Sequence, residues 1–288
     1  MKTKVFAAIL ISFFFVSGCG SSGSNSSSSS STNSVMGIFL DAAVSGLSYS
    51  SASHNGKTDS SGQYSCASGE TVTFQIGALP IGETTCDSIT TPYDLEGTTD
   101  REDAKSINIA RLLIALDEDQ SPDNGISLMD AAQGFSDFPA DFPPVDFSSH
   151  KFLTAVLQRI DSSRSLDSSS DARAHISGSL DSHFSGTYKG LSTRTSSNPD
   201  GYCDDEPETK QVGMTVSFSF GNKTFDATED TGETIQGTLA YRDMKSTYPE
   251  DDGTTDTKGK LHRNSMEGTW KWSDNTGSCS GTFQYDKQ

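Results

Sequence analysis

Met214-Thr-Val-Ser-Phe-Ser-Phe220 places Met214, Val216, Phe218 and Phe220 on one side of an extended chain and Thr215, Ser217 and Ser219 on the other. A period of two marks a strand with one face in a core and one in water. Working outward, a Gly-Thr-apolar element recurs at Gly186-Thr-Tyr188, Gly237-Thr-Leu239, Gly268-Thr-Trp270 and Gly281-Thr-Phe283. Each is expected to open a strand, with glycine at a bend and the third residue facing the core. Residues 183–288 therefore read as an antiparallel β-meander, a curved sheet or a small barrel.

Upstream the period changes. Ile107, Ala110, Leu113 and Ile114 recur at the spacing of an amphipathic helix, for which Asp100 is the expected cap. Phe152, Val156, Leu157 and Ile160 repeat that spacing, as do Ala172, Ile176 and Leu180. Between the first two helices, Phe135 to Phe147 (FSDFPADFPPVDF) is too rich in proline for a regular helix, and its phenylalanines need burial, so an ordered loop over the helices is expected. Residues 36–97 carry strand and turn signals: Gly37-Ile-Phe-Leu40, Ala43 to Tyr49, the turn candidates Asn55-Gly56 and Asp59-Ser-Ser-Gly62, and a strand with Val72, Phe74 and Ile76 on one face. The fold class expected is mainly β with a helical middle segment (98–182): a small N-terminal β-sandwich, helices, then the C-terminal antiparallel β domain.

The N-terminus reads as an address. Lys2 and Lys4 precede the apolar run Val5 to Val16, too short to span a bilayer as a helix. The run ends in Val16-Ser-Gly-Cys19, which resembles the lipobox of bacterial lipoproteins. The resemblance implies that Met1 to Gly18 is a signal peptide and that Cys19 becomes the lipid-carrying first residue. Its partner would then be the bilayer, held through acyl chains. Gly20 in place of Asp favours the outer membrane under the Gram-negative sorting rule. Residues 21–34 (SSGSNSSSSSSTNS) contain no apolar side chain, so 19–35 reads as a lipidated tether with a reach on the order of 20 Å.

Three patterns in the first folded zone, Val44-x-Gly46-Leu-x-Tyr49, Thr58-Asp-x-x-Gly62-x-Tyr64 and Gly69-Glu-x-Val-x-Phe-x-Ile-Gly77, resemble the carboxypeptidase-regulatory-like and transthyretin-like β modules of envelope proteins. That likeness implies a fold, with Asp59 and Gly62 shaping a turn, and no activity. The whole chain resembles a poorly characterised group of bacterial lipoproteins in which this module precedes a helix ending in Leu-Asp-x-Asp, here Leu116 to Asp119. The C-terminal zone looks like the lipocalin-like barrels of bacterial lipoproteins.

The chain carries 21 basic and 39 acidic residues, a net charge of -18. Loss of Lys2 and Lys4 with the signal peptide leaves 19 against 39, or -20. Nucleic acid is an unsuitable partner for such a surface. Cys66, Cys86, Cys203 and Cys279 are even in number and expected in an oxidising compartment, so two bridges follow, with Cys66–Cys86 and Cys203–Cys279 keeping each inside one zone. Gly277-Ser-Cys279-Ser-Gly281 mimics a nucleophile elbow, but it opens a terminal strand, so cystine is the better reading. Asp117, Asp119, Ser121 and Asp123 alternate after the first helix and resemble part of an EF-hand loop. Gly125 and Asp130 fall at the wrong positions for that motif, so a structural Ca²⁺ stands against an acidic helix-ending turn. No other cofactor is expected. The five histidines are scattered without ligand spacing. Trp270 and Trp272 share one strand face with Tyr285 near, as core or as a stacking platform for a ligand.

No catalytic constellation emerges, and the expected role is non-enzymatic: an envelope binding or interaction module for a small apolar ligand, a surface polymer or a protein partner. A structural or adhesion protein and an accessory subunit of an envelope enzyme are the alternatives.

Overall fold

In the computed structural model, residues 34–136, 145–196, 208–250 and 253–288 are described. Residues 1–33, on which the expected signal peptide, lipidated Cys19 and tether fall, lie outside them, as do Cys203 and the centre of the Phe/Pro insert. The N-terminal strands are β1 (Ser34–Phe39), β2 (Val44–Ser45), β3 (Ser48–Ser50), β4 (Asn55–Lys57), β5 (Gln63–Ala67), β6 (Thr71–Ile76), β7 (Leu79–Thr85) and β8 (Ile89–Thr90). All of them except β2 form a three-stranded sheet, β5-β1-β8, and a four-stranded sheet, β4-β3-β6-β7. Phe39 and Tyr64 from the first sheet each place a ring centroid 5.1 Å from that of Phe74 in the second. Alternation explains the meeting: Val72, Phe74 and Ile76 are all fully buried. Cys66, on β5, is bonded to Cys86, just past β7, so the bridge ties one sheet to the other.

The Asp59–Gly62 turn forms as expected. Gly62 N donates to Asp59 O at 2.9 Å, and Asp59 Oδ1 accepts from Ser61 N and Gln63 N. Gly62 has φ +71°, and a Cβ there would stand 2.8 Å from Phe39 O, so glycine is required on both counts. Asn55-Gly56 is not a turn. It lies within β4, opposite Tyr49 and Ser50, while the chain reverses at Ser51–His54, where Ser51 N donates to His54 O at 2.7 Å. Glycine is used there because the Tyr49 ring covers it.

The middle contains α1 (Pro92–Leu95), α2 (Ala104–Ala115), β9 (Ile126–Ser127), α3 (Asp130–Gln133), α4 (His150–Ile160) and α5 (Ser169–Phe184). The cap of α2 is Asp103, not Asp100: Asp103 Oδ2 accepts from Ser106 N at 2.8 Å, while Asp100 Oδ1 closes a tighter turn on Glu102 N. Ile107, Ile109, Leu112, Leu113 and Ile114 are buried all round α2, because α4 and α5 cover the sides a surface helix would leave wet. Phe135 and Phe147 of the insert are buried, and Phe147 sets its ring 5.4 Å from Phe152; Phe138 and Phe142 fall outside the described residues.

The alternating stretch from Met214 to Ser219 lies in β11 of a closed antiparallel barrel. Its strands are β10 (Gly186–Ser196), β11 (Thr209–Ser219), β12 (Thr224–Glu229), β13 (Thr234–Ala240), β14 (Asp243–Glu250), β15 (Gly253–His262), β16 (Ser265–Ser273) and β17 (Ser278–Lys287), joined in sequence order. One hydrogen-bonded row runs Phe218, Phe225, Gly237, Ser246, Thr257, Trp270, Gly281, Arg194 and meets β11 again at the level of residue 208. The stagger between 218 and 208 is ten residues, which obliges the strands to tilt steeply and opens the bore of a closed barrel. Outward positions such as Asp226, Lys258, Lys260, Glu267 and Lys271 are polar, and inward ones largely apolar, the inverse of a barrel with a lipid-facing apolar band. Among the described residues no helix is long and apolar enough to cross a membrane.

One end of the barrel is sealed. Phe184 of α5 sits 5.5 Å from Phe220 and 6.3 Å from Phe218. Beside that seal, Arg242 donates to Asp87 and Asp94 at 3.2 Å, and the Tyr241 hydroxyl meets Asp94 at 2.6 Å and Thr91 at 2.7 Å. The zones read from sequence as 36–97, 98–182 and 183–288 thus share one continuous core, and residues 33–288 form a single compact unit.

Candidate functional site

The interior of the barrel is a cavity of about 520 Å³. It exists because of where the glycines fall. Gly237, Gly268 and Gly281 do not start strands, contrary to the sequence expectation; they sit mid-strand at inward positions, and Gly186 alone of the four opens its strand. Each mid-strand glycine receives the ring of a neighbour in its own row. A Cβ on Gly281 would stand 2.5 Å from Trp270 Cε2 and Cζ2, and one on Gly237 2.2 Å from Phe225 Cε1. Phe283 lies over both Gly268 and Gly259, 2.6 and 2.8 Å from their absent Cβ atoms. Rings laid along the wall leave the bore open, whereas rings projecting across it would fill it.

The walls are apolar over most of their height, with Val212, Met214, Val216, Ile235, Met244 and Met266 among the lining residues. Polar groups gather toward the end away from α5. Arg194 and Lys210 enter from β10 and β11, and Glu229, Glu233 and Glu250 from the ends of β12, β13 and β14. Burial, and then the neighbouring Glu233 carboxylate, push Glu229 above the usual carboxylate range, with Lys210 opposing. Burial raises Tyr285 to about 12, and burial followed by the Glu250 charge raises Tyr248, so both phenols stay neutral across the physiological range. Among the described residues, three buried polar atoms of this lining have no hydrogen-bond partner: Arg194 Nη1, Ser246 Oγ and Trp270 Nε1.

Trp270, Trp272 and Tyr285 all line the cavity, and Tyr285 stacks with Phe283 at 5.1 Å, so the sequence-derived platform is one wall of this space. Cys279 is disulfide-bonded, and Cys203 lies outside the described residues. The Asp117–Asp123 loop spends its carboxylates on itself. Asp117 Oδ1 and Oδ2 accept from Ser127 N and Ser121 N, and Asp119 accepts from Ser121 N and Asn124 Nδ2. Asp123 points away, 3.5 Å from the His175 ring. Burial pushes Asp117 upward against those amide bonds, as suits a carboxylate closing a turn. Among the described residues no three His, Cys, Asp or Glu side chains gather in a way that could hold a metal ion.

Arg194 and Ser246 were not singled out from the sequence. The only signal for Arg194 was its parity with Tyr188, Gly190 and Ser192, and parity assigns a face without saying that the face encloses space.

The class these features define is an eight-stranded antiparallel barrel with a largely apolar interior cavity, sealed at one end by a helix of the same compact unit. No protein-family model matches the chain, and no curated protein matches its sequence.

Proposed function

We propose that this protein is a lipid-anchored cell-envelope protein whose C-terminal barrel binds a small ligand with a large apolar part. The observation that carries the reading is the cavity of about 520 Å³, whose walls are more apolar than polar. Sites for small molecules commonly enclose some 300–1,000 Å³, mostly apolar with a few placed polar groups. An eight-stranded barrel either packs its own interior or holds one such ligand, and here inward glycines hold the aromatic rings against the wall. Placement in the envelope rests on the Lys2–Cys19 address and the serine tether. The residues lining the cavity offer shape, apolar surface and hydrogen-bond donors, which is what a non-catalytic carrier or sensor needs.

Native mass spectrometry of the protein extracted mildly from its own envelope tests the reading. A defined extra mass is expected, and it should be lost from Met244→Trp, which puts an indole into the bore. A bare polypeptide from the unaltered chain would overturn the carrier reading and favour a structural or adhesive role.

A further inference from the structure

We propose that the barrel selects an amphiphile with an anionic oxygen head, a carboxylate on an apolar body, and that Arg194 and Trp270 hold that head; the inference rests on the cavity being a ligand site. Its starting point is the set of orphaned atoms. Arg194 Nη1 and Trp270 Nε1 are shielded from solvent and have no partner among the described residues, and both can only donate. Buried donors are ordinarily satisfied, so two of them in one cavity wall mark the place of a missing acceptor.

The register brings the pair together. Arg194 on β10 and Trp270 on β16 both pair with Gly281 on β17, one from each side. The edge of the indole nearest Gly281 is Cε2 and Cζ2, and Cε2 is bonded to Nε1. That edge of the indole therefore lies against Gly281, the residue that pairs with Arg194. Glycine is required here, because a Cβ at 281 would stand 2.5 Å from the indole and 2.3 Å from Thr193 O. Guanidinium and indole N–H donors carried on either side of one glycine in a cavity wall suit a carboxylate, which accepts charge-assisted bonds in its own plane. Lys210, whose strand neighbour is Ser192, adds positive charge on the same side.

The acids Glu229, Glu233 and Glu250 rise from β12 to β14. They repel an anion from that side and so orient the head toward β10, β17 and β16. A bare inorganic anion would leave the apolar wall unoccupied, which is why an amphiphile is assigned. Ser246 Oγ, 6% exposed at the residue level and also unpartnered, lies four strands round the barrel from Arg194. It serves a different part of the ligand from the head.

The test uses residues 20–288, which retain the whole compact unit without the acyl chains, and three probes of equal chain length: dodecanoate, dodecanol and dodecyltrimethylammonium. Calorimetric titration at pH 8 is expected to give dodecanoate about tenfold or more tighter binding than dodecanol, the increment of a charge-assisted hydrogen bond. Arg194→Gln should bring dodecanoate to within about threefold of dodecanol, and Trp270→Phe should lose part of the preference. Unchanged dodecanol binding in both variants shows that the barrel is intact. Equal binding of acid and alcohol to the unaltered chain, or an acid preference that survives Arg194→Gln, overturns the carboxylate assignment and leaves the cavity reading standing. Preference for the ammonium probe also overturns it and moves the head to the glutamates. Failure of all three probes to bind overturns the cavity reading itself.

Discussion

The N-terminal β body and the C-terminal barrel draw on the same aromatic and aliphatic residues, yet one is filled and the other is hollow. In the body, Phe39, Tyr64 and Phe74 point at one another across two sheets, and their edge-to-face contacts leave no room. In the barrel, Trp270, Phe225 and Phe283 turn sideways onto glycines one strand away and lie along the wall. Cross-strand glycines occur in both regions, since Gly37 and Gly82 stand opposite Tyr64 and Phe74 in the body, so a glycine opposite a ring does not by itself open a space. The difference teaches that enclosure decides: in the body a second sheet brings its own rings to meet the first, whereas in the barrel one sheet closes on itself around a bore. Close packing stabilises the first region; the second gives up some packing and gains a space a ligand can enter.

The largest effect should come from making a hole in the filled region. Phe74→Ala is expected to cost about 3–5 kcal/mol in denaturant unfolding, because Phe39 and Tyr64 cannot both collapse into the gap. A cost near 1 kcal/mol would mean that the body is looser than its burial indicates.

The filled region contains one costly group, and its removal should act in the opposite direction. Asp41 is fully buried at the tight turn that places Leu40 against Ala43, with neither carboxylate oxygen hydrogen-bonded. His175 Nε2 lies 3.7 Å away, and the same ring approaches the exposed Asp123 at 3.5 Å. Burial raises the Asp41 pKa from 3.8 to about 7, against the attraction of His175. Between those values the folded protein holds a proton that the unfolded chain has released, so stability falls as pH rises through that window and is undiminished below it. The ceiling of the effect is about 4 kcal/mol, from the size of the shift. Asp41→Asn should flatten the stability profile between pH 4 and pH 7 and be the more stable protein at pH 8. A variant that keeps the wild-type slope would assign the pH dependence to another group.

Next in size is the seam between the regions. Arg242 Nη2 lies 3.2 Å from both Asp87 and Asp94, with its own side chain 10% exposed and that of Asp87 41% exposed. Arg242→Met should cost about 1–3 kcal/mol, discounted for the solvent around Asp87. Because the barrel and the body share one core, the calorimetric transition should stay single and move down. Two resolved transitions in the unaltered protein would break the picture of one compact unit.

The smallest prediction compares the regions directly. Ile76→Val removes a methylene from a fully packed site and should cost about 1 kcal/mol, whereas Ile235→Val, on the cavity wall, should cost only a few tenths. Equal costs would mean that the cavity is not a void in solution.

Much of the architecture was legible in the chain. Alternation from Met214 to Phe220 and from Val72 to Ile76 assigned strands and their buried faces, and the 3 and 4 spacing at Ile107, Phe152 and Ala172 assigned the helices. The Asp59–Gly62 turn and the Cys66–Cys86 bridge followed from local chemistry and from the parity of the cysteines. The misreadings are instructive. Asn55-Gly56 carries a hairpin signal, but Tyr49 covers Gly56 from the neighbouring strand and keeps it inside β4. Asp100 and Asp103 are equally good caps by residue type, and only the turn at Asp100–Glu102 decides between them. The acidic alternation after α2 leaves a cation loop and a helix-ending turn both open, and in the structure the Asp117 carboxylate accepts from backbone amides ten and four residues on.

What the sequence determined by itself was everything set by neighbours a few residues apart: element type, the face that is buried, one turn and the even count of cysteines. What only the tertiary structure decided was closure and enclosure. Whether eight strands meet edge to edge, how far the rows stagger, and which glycine lies opposite which ring are relations between residues tens of positions apart. No local pattern encodes them, because a strand's alternation is the same whether its inner face meets another side chain or an empty bore.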